Sequence, residues 1–396
     1  MDARDYFGYK NPDEEPGAPD PADEADATSP PLFEEAVTLD ESSAISRIDP
    51  DDMLGNVMAM PGQLTQAARV AATTTLDERH RDVDSVVVLA MGGSAIGAEL
   101  VAAAAGERLR VPLIVHRDYG LPAGVGPRSL IIAASHSGET AETLAGFAAA
   151  RERDLPTAVI TTGGTLAAAA EATGIPLVRY RLGGQPRAAI GYGVGLLHEL
   201  LGGAGLIVDR DPLTDAATSL ESLLGRNGPG VETSANPAKQ LAWAIFGRIP
   251  VIYGHGPMAA VAHRWKTQLN ENAKAWAAWE PMPEANHNAI EGSINPRELS
   301  DALYVIQLRD PDEPPALAER YRVVEELLGE RATNRSEVWA EGPSVLARVL
   351  GTVAFGDLVS VYLAILYQTD PTPVTLLVML KERLARATGP DRTSAT

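Results

Sequence analysis

The side chains best suited to chemistry lie in two short stretches in the second half of the 396-residue sequence. One is Asn270-Glu271-Asn272-Ala273-Lys274, and the other, about a dozen residues later, is Asn286-His287-Asn288. A glutamate can take a proton from carbon, and a histidine can move protons between oxygens at neutral pH. These residue types together predict proton transfer on a small substrate.

A plainer interpretation of the same residues is open at this point. Glu271 can be a surface acid at a helix end, paired with Lys274 three residues later, and such a pair contributes little. Lysine is rare in this chain, however, with 5 of the 33 basic residues, which favours a chemical role for a lysine. Three nearby tryptophans are predicted to be core or interface residues: Trp265, Trp276 and Trp279.

Composition limits the classes of protein that this sequence can encode. The length suits two domains, and the absence of cysteine excludes disulfides, thiolate metal sites and thiol catalysis. Residues 1–60 hold 16 acidic and 3 basic residues, so they account for −13 of the net charge of −20. The sequence has no basic patch of the kind that binds nucleic acid. It also has no unbroken apolar run long enough to cross a membrane and no stretch typical of a signal peptide. We expect a cytoplasmic protein whose acidic tail, residues 1–45, is disordered.

Two successive series of strands and helices must position the chemical residues. The first series has apolar runs at 85–90, 112–116, 129–134, 157–161 and 177–179, and the second at 249–253, 301–308 and 335–340. Buried strands that alternate with helices predict parallel, doubly wound sheets, and the similar order of the two series suggests an internal duplication. We predict introductory helices and a first α/β domain over 46–226, a second domain over 235–388, and a tail at 389–396.

Two polar turns follow strands of the first series. Gly92-Gly93-Ser94 follows the first strand, and Ser135-His136-Ser137-Gly138-Glu139-Thr140 follows the third. Parallel strands bring their carboxyl ends to one edge of a sheet, where ligands bind in this architecture. Hydroxyls and N–H groups at helix N-termini suit a phosphate dianion, although Ser135 and Thr140 can also simply cap a helix. Neither turn has a complete nucleotide-binding motif, so a nucleotide is the weaker option.

These motifs resemble those of a known family. Ser-x-Ser-Gly-x-Thr after a strand is similar to the sugar isomerase (SIS) domain, a phosphosugar-binding fold. The stretch from Arg264 to Lys274, followed by Pro283-Glu284-Ala285-Asn286-His287-Asn288, resembles the bifunctional phosphoglucose/phosphomannose isomerases. The resemblance runs from about Asp51 to Arg386. It implies two flavodoxin-like αβα-sandwich domains that interconvert glucose 6-phosphate or mannose 6-phosphate with fructose 6-phosphate through a cis-enediol.

The resemblance also implies roles for single residues. Five residues are expected to hold the 6-phosphate of the substrate: Gly93, Ser94, Ser135, Ser137 and Thr140. Arg187 is expected to face the enediolate, Glu271 to act as the base, and His287 to open the sugar ring with help from Lys381. In that family the histidine comes from the neighbouring subunit, so the resemblance implies an obligate homodimer. This route requires no metal and no cofactor.

The chain departs from the family pattern at Trp276, where the family usually has proline, and at Ala289, where it usually has glutamate. Both residues lie just beyond a predicted site residue, so the preference for one sugar is the property most open to change. Another class of function is a non-catalytic phosphosugar-binding or regulatory protein, which has no need for a base, a histidine and a lysine together. An amidotransferase-type sugar isomerase would need an N-terminal nucleophile, which an acidic tail without cysteine does not supply.

Overall fold

The computed structural model describes residues 38–296, 302–329 and 334–388. The predictions for residues 1–37 and 389–396 lie outside these ranges. Helix α1 (Ser42–Ile48) begins within the stretch predicted to be disordered, residues 1–45, and continues past its end. It forms because Leu39 is fully buried and Ile45 and Ile48 pack into the main core. The prediction of disorder was based on the acidic composition of the whole stretch, in which these few apolar side chains carried little weight.

Nine strands form two parallel sheets in the described part of the chain. They are β1 (Ser85–Leu89), β2 (Leu113–His116), β3 (Ser129–Ser135), β4 (Thr157–Thr161), β5 (Leu177–Arg179), β6 (Ile249–His255), β7 (Ala278–Met282), β8 (Leu303–Arg309) and β9 (Arg335–Trp339). The first sheet has the order β2-β1-β3-β4-β5, which is flavodoxin-like, and the second has the same order without a fifth strand, β7-β6-β8-β9. The predicted α/β fold class is confirmed.

Strand β7 was not predicted from the sequence. Its residues, Ala-Trp-Glu-Pro-Met, show no apolar alternation, and Pro281 argues against a central strand. The structure places β7 at the edge of the second sheet, paired only with β6 among the described strands. Proline is tolerated at an edge because the missing N–H leaves no partner strand unsatisfied. Residues 283–288 follow β7, so this strand positions His287.

Helices cover both faces of each sheet. After α1 they are α2 (Met53–Met58), α3 (Met60–Ala71), α4 (Glu78–Arg81), α5 (Gly92–Ala105), α6 (Ala141–Glu152), α7 (Gly164–Thr173), α8 (Ile190–Gly203), α9 (Leu213–Asn227), α10 (Pro237–Ile245), α11 (Pro257–Glu271), α12 (Pro315–Leu328), α13 (Val345–Leu366) and α14 (Thr375–Thr388). Helices α5, α8, α11 and α13 share one continuous core with the inward side chains of both sheets, such as Val86 and Ile252. Helices α6 and α7 cover the other face of the first sheet, and α12 covers that of the second.

The 22-residue helix α13 lies at the centre of this core. By length and composition it is the one described helix that could cross a membrane, but it is completely buried inside the fold. Its two charged residues are paired: Arg348 binds Asp310 and Asp312, and Asp357 binds Arg264. Helix α13 is therefore the core helix that holds the two sheets together.

Candidate active site

The two glycine-bearing turns of the first domain lie together at the carboxyl edge of the first sheet. Strands β1 and β3 are parallel neighbours, with Leu89 opposite Ala133. Helix α5 begins directly after β1, and α6 begins after the second turn. Neither the N-cap residue of α5, Met91, nor that of α6, Thr140, accepts a hydrogen bond in its side chain from the helix. The first N–H groups of both helices are therefore open to an anion.

The turn after β3 is organised by its own hydroxyls. Ser135 Oγ accepts a hydrogen bond from the backbone N–H of Gly138 at 3.1 Å and lies 2.8 Å from Thr140 Oγ1. Ser137 Oγ accepts from the N–H of Glu139 at 3.2 Å. The alternative that Ser135 and Thr140 simply cap the helix is wrong, because Thr140 occupies the N-cap position without making a cap bond. The three hydroxyls instead make hydrogen bonds within the turn, and none of them accepts a hydrogen bond from an N–H group of helix α6.

This turn is also anchored to the turn between β4 and α7. The Glu139 carboxylate accepts from the N–H of Thr165 at 2.6 Å and from its hydroxyl at 2.8 Å. Gly138 has φ 72°, and a Cβ there would lie 1.9 Å from the carbonyl oxygen of Gly163. Only glycine can occupy this position without moving the turn. Glu139, the single acid of the turn, is thus hydrogen-bonded to protein donors. The turn is therefore suited to a dianion.

Arg187 lies at the same edge, in the short 3₁₀ turn that follows β5. Its backbone packs directly on the first glycine turn: a Cβ on Gly93 would lie 3.2 Å from the carbonyl oxygen of Pro186 and 3.4 Å from Arg187 Cα. The Arg187 side chain is buried, with 2% of its surface exposed. Burial lowers the pKa of the guanidinium, while the Glu271 carboxylate opposes that shift.

The carboxylate of Glu271, at the last residue of α11, faces Arg187 from the second domain. Arg187 Nη1 lies 3.5 Å from Glu271 Oε2, and 31% of the glutamate side chain remains exposed. The interpretation of Glu271 as a surface acid paired with Lys274 is wrong, because Lys274 Nζ binds the backbone oxygen of Glu271, at 2.9 Å, rather than its carboxylate. Glu271 is thus held by a buried arginine and is still reachable by a substrate.

A closed ring of hydrogen bonds holds Arg187 in place. Its Nε donates to Asn272 Oδ1 at 2.6 Å, and Asn272 Nδ2 donates to Ser360 Oγ at 2.9 Å. The Ser360 hydroxyl donates to the carbonyl of Asp357 at 2.7 Å, and the Asp357 carboxylate accepts two bonds from Arg264. Arg264 closes the ring by donating to the carbonyl of Arg187 at 2.8 Å. All five residues are buried, so the arginine has one fixed orientation.

Sequence reasoning missed three of the four residues that support Arg187 in this ring. Arg264 and Asp357 were not assigned a role, and Ser360 lies in the apolar pattern of α13. One signal was present: an aspartate within a long apolar helix is rarely buried unless it is paired. That signal points to a buried partner for Asp357 but does not say which arginine supplies it.

The structure does not bring His287 to Glu271 within one chain. Strand β7 ends at Met282, which pairs with His255 just before the start of α11. Glu271 ends α11, which has 15 residues and is therefore about 22 Å long. The histidine and the glutamate lie near opposite ends of that helix, and no hydrogen bond or ion pair joins them in the residues described.

Lys381 is likewise separate from the glutamate. It is exposed on α14, and in the described ranges it makes no hydrogen bond to the site. Helix α14 also exposes a series of apolar side chains: Leu376, Leu377, Val378, Met379, Leu380 and Leu384. A cavity of about 520 Å³ lies where the start of α14 meets the end of α11, and Glu271 and Lys274 line it.

The three tryptophans near the site differ in their surroundings. Trp265 is buried in the core, and Trp279 is half-buried and stacks on His263 with ring centroids 4.8 Å apart. Trp276 is 84% exposed, so it is not a core residue. The alternative prediction for Trp276, an interface residue, is compatible with this exposure.

The fold and the site define an α/β protein with two SIS-type sheets and a polar, glycine-bearing edge on the first. Comparison with known families and structures agrees. Residues 234–384 match the family model described as the bacterial phospho-glucose isomerase C-terminal SIS domain. A hypothetical protein of Thermus thermophilus has the same fold, with a TM-score of 0.65 over 87% of this chain and 94% of its own, at 18% identity.

Two relatives extend the likeness to most of the sequence. The bifunctional phosphoglucose/phosphomannose isomerase of Caldicellulosiruptor bescii is 36% identical over 336 residues, 84% of this chain and 99% of the relative. The protein of the same name from Aquifex aeolicus is 33% identical over 302 residues, 76% of this chain and 90% of the relative. The chain belongs to the bifunctional phosphoglucose/phosphomannose isomerase family. The predicted family is confirmed, as is the prediction of a sugar phosphate isomerase, while the roles of single site residues stay predictions.

Proposed function

We propose that this protein interconverts glucose 6-phosphate, mannose 6-phosphate or both with fructose 6-phosphate. The turns at Gly93-Ser94 and Ser135–Thr140 hold the 6-phosphate through hydroxyls and the N–H groups of two helix N-termini. One observation carries the proposal. Arg187 packs its backbone on the Gly93 turn and pairs its side chain with Glu271 at 3.5 Å. It thereby joins a phosphate site in one domain to an acid in the other.

In the proposed reaction Glu271 takes the C2 proton of the open-chain aldose and delivers it to C1 through a cis-enediol. The electron pair of the broken C–H bond forms the C1–C2 double bond, and negative charge develops on the sugar oxygen. The Arg187 guanidinium stabilises that charge without reorganising, because its orientation is already fixed by the ring of buried hydrogen bonds. Glucose 6-phosphate and mannose 6-phosphate differ only at C2 and give the same enediol, so one base serves both.

Ring opening is assigned to His287 and Lys381, with the histidine supplied by a second copy of the chain. The position of His287 near the far end of α11 from Glu271 supports this arrangement. The exposed apolar face of α14 reaches the cavity at Glu271 through Leu376 and Leu377, and a second subunit would cover this face and the exposed Trp276. The homodimer and the cytoplasmic location stay predictions.

The activity is tested by a coupled assay with fructose, glucose and mannose 6-phosphates. Wild type should turn over fructose 6-phosphate and at least one aldose phosphate, and Glu271→Gln should lower kcat roughly 10²–10⁴-fold by removing the base. Glu319→Gln, the same change on the surface of α12, should keep full activity. Binding without turnover in wild type would favour the non-catalytic phosphosugar-binding alternative, and full activity in Glu271→Gln would reject the assigned base.

The shared site is tested by mixing two inactive variants. Glu271→Gln and His287→Ala, denatured together and refolded at equal amounts, should form mixed dimers with one intact site. A two-fold dimer then recovers about a quarter of wild-type activity. No recovery, with both variants folded, would place the histidine outside the partner's site.

A further inference from the structure

The ammonium of Lys274 lies at a point where four backbone carbonyls converge. Its Nζ is 2.9 Å from the oxygen of Glu271, 3.1 Å from that of Asn272, 2.8 Å from that of Asp370 and 3.0 Å from that of Pro371. Three N–H groups thus serve four acceptors from two separate segments. The residue as a whole is exposed, so these contacts are not a by-product of burial in the core.

The type and the backbone of this residue are both unusual. An ammonium is a compact charge whose donors rotate freely to meet several carbonyls around one point, whereas the planar guanidinium of arginine directs its donors in a fixed fork, and this chain otherwise prefers arginine. Lys274 also has φ 54°, a left-handed conformation that costs a lysine about 1–2 kcal/mol. A glycine or asparagine would end α11 with less strain. The strained lysine is explained by what its side chain holds.

Two of the four carbonyls that Lys274 binds, those of Asp370 and Pro371, belong to the connector between α13 and α14, and the other two belong to the end of α11. Arg187 Nη2 binds the same connector, at 2.6 Å from the carbonyl oxygen of Pro371 and 2.8 Å from that of Thr372. The two cations therefore share the carbonyl of Pro371. Helix α14, which carries Lys381, begins three residues after Thr372.

We propose that Lys274 is a positioning residue for the isomerisation. Its ammonium ties the end of α11, which carries Glu271, to the connector that Arg187 also binds, and this fixes the base, the arginine and the start of α14 relative to one another. Lys274 itself does not touch the reacting atoms. The inference rests on the proposed function and adds to it the residue that holds the groups of the site in their relative positions.

The arrangement makes the site sensitive to alkaline pH. Loss of hydration at the ammonium, together with the nearby Arg187, lowers the pKa of Lys274 from 10.5 to about 8, while Asp370 and Glu271 oppose the shift. These are the charged groups that face it. Above that pKa the neutral amine has one donor fewer and no charge, so its hold on four carbonyls weakens and kcat falls.

The absence of cysteine permits a direct test in the full-length protein. Lys274→Met should lower kcat roughly 10–100-fold, the effect of a misplaced catalytic group, with KM nearly unchanged. Lys274→Cys should be similarly impaired, and alkylation of that single thiol with 2-bromoethylamine should restore most of the lost kcat. The thioether lowers the pKa of the new amine, so the alkaline fall in kcat should move to lower pH than in wild type.

Lys266→Met, the same change on α11 at a lysine that makes no hydrogen bond among the described residues, serves as the control and should retain wild-type kcat. Wild-type kcat and pH profile in Lys274→Met would overturn the proposal, as would a folded Lys274→Cys that alkylation leaves impaired.

If wild type itself turns over none of the three hexose phosphates, the proposed function fails. Hydrogen exchange then still tests whether Lys274 holds the connector between α13 and α14 in place. Amides of residues 370–377 should exchange about tenfold faster in Lys274→Met, the equivalent of one bond from a charged donor, and equal exchange would reject it.

Discussion

The turn after β3 and the turn after β8 occupy the same position in the two sheets, and their chemistry is opposite. The first holds the hydroxyls of Ser135, Ser137 and Thr140, and its only acid is bound by protein donors. The second begins at Arg309, which pairs with Glu313 and Glu337 and lies between two aromatic rings, 4.5 Å and 4.6 Å from their centroids.

This difference gives a physical reason why only the first of two similar sheets is proposed to bind phosphate. The edge of the second sheet carries four acids against two arginines: Asp310, Asp312, Glu313 and Glu337 against Arg309 and Arg348. A net negative edge with its arginines already paired repels a dianion. The second domain instead contributes from its opposite end, where α11 places Glu271 against Arg187. In the proposed function, one sheet binds substrate at its edge, and the other supports the base.

The largest effect is expected where the two domains meet at the first edge. Arg187→Met should lower kcat about 10²–10³-fold, the usual effect of removing a fixed group that stabilises developing negative charge. Arg128→Met makes the same change at the other end of the first sheet, on an exposed ion pair with Asp84, and should change kcat little. Comparable losses of kcat in Arg187→Met and Arg128→Met would mean that the effect does not depend on the position of Arg187 at the carboxyl edge of the first sheet.

At the edge of the second sheet, Arg309 should contribute to the stability of the fold and not to the binding of substrate. Arg309→Met leaves Glu313, whose side chain is 7% exposed, without its partner. Breaking such a buried pair should lower the free energy of unfolding by about 3 kcal/mol, measured by chemical denaturation, while KM for fructose 6-phosphate stays the same. A raised KM in a folded variant would show that the second edge also binds the sugar phosphate.

A smaller effect is expected from a single hydroxyl of the first edge. Ser137→Ala removes one proposed donor to the phosphate and should raise KM about tenfold with little change in kcat, because in the proposed site the phosphate is bound equally in the ground and transition states. Ser336→Ala makes the same change in β9 of the second sheet and should leave KM unaltered. A fall in kcat at constant KM for Ser137→Ala would argue against a purely binding role.

The smallest effect is expected where α5 and α11 touch away from either edge. His263 Nδ1 lies 3.1 Å from Glu99, which also pairs with Arg117. Burial opposes ionisation of Glu99, but His263 and Arg117 outweigh it and lower the pKa below 4.5. The carboxylate therefore stabilises the fold above pH 4.5 and loses that contribution as the pH falls through the lowered pKa.

Glu99→Gln should lower the free energy of unfolding by about 1 kcal/mol near neutral pH. The difference from wild type should shrink in acid, when both carry a neutral group at this position. Chemical unfolding of both proteins above and well below pH 4.5 measures it. A difference that grows in acid would mean that the folded protein raises the pKa of Glu99 instead of lowering it.

The sequence was most informative where burial was uniform. Strands such as β1 and β4 are buried along nearly their whole length, so they appear as apolar runs and were predicted to within a residue. Strand β7 was missed because an edge strand tolerates proline and needs no apolar pattern. Strands β1 and β3 are parallel, as predicted, and lie next to each other, so the two glycine turns that follow them lie at one edge of the first sheet.

Proximity in the sequence was a poor guide to the rest of the site. His287 lies 16 residues after Glu271, but one strand intervenes and carries the chain back toward the start of α11. The pairing of Glu271 with Lys274 failed for another reason: Lys274 lies three residues past the end of α11 in a left-handed backbone conformation, and its side chain binds carbonyls rather than the Glu271 carboxylate. The buried ring around Arg187 depends on contacts across 77 to 93 residues of sequence, which no local pattern records.

The central claim is that Glu271 moves a proton between C2 and C1 of a hexose 6-phosphate. Its most direct test is the conversion of fructose 6-phosphate to aldose phosphate in deuterium oxide, with the product examined by proton NMR. A carboxylate base exchanges its proton with solvent during the enediol's lifetime, so wild type should place deuterium at C2, and Glu271→Gln should form almost no labelled aldose. Rapid conversion by Glu271→Gln with normal deuterium incorporation would contradict this role for the glutamate.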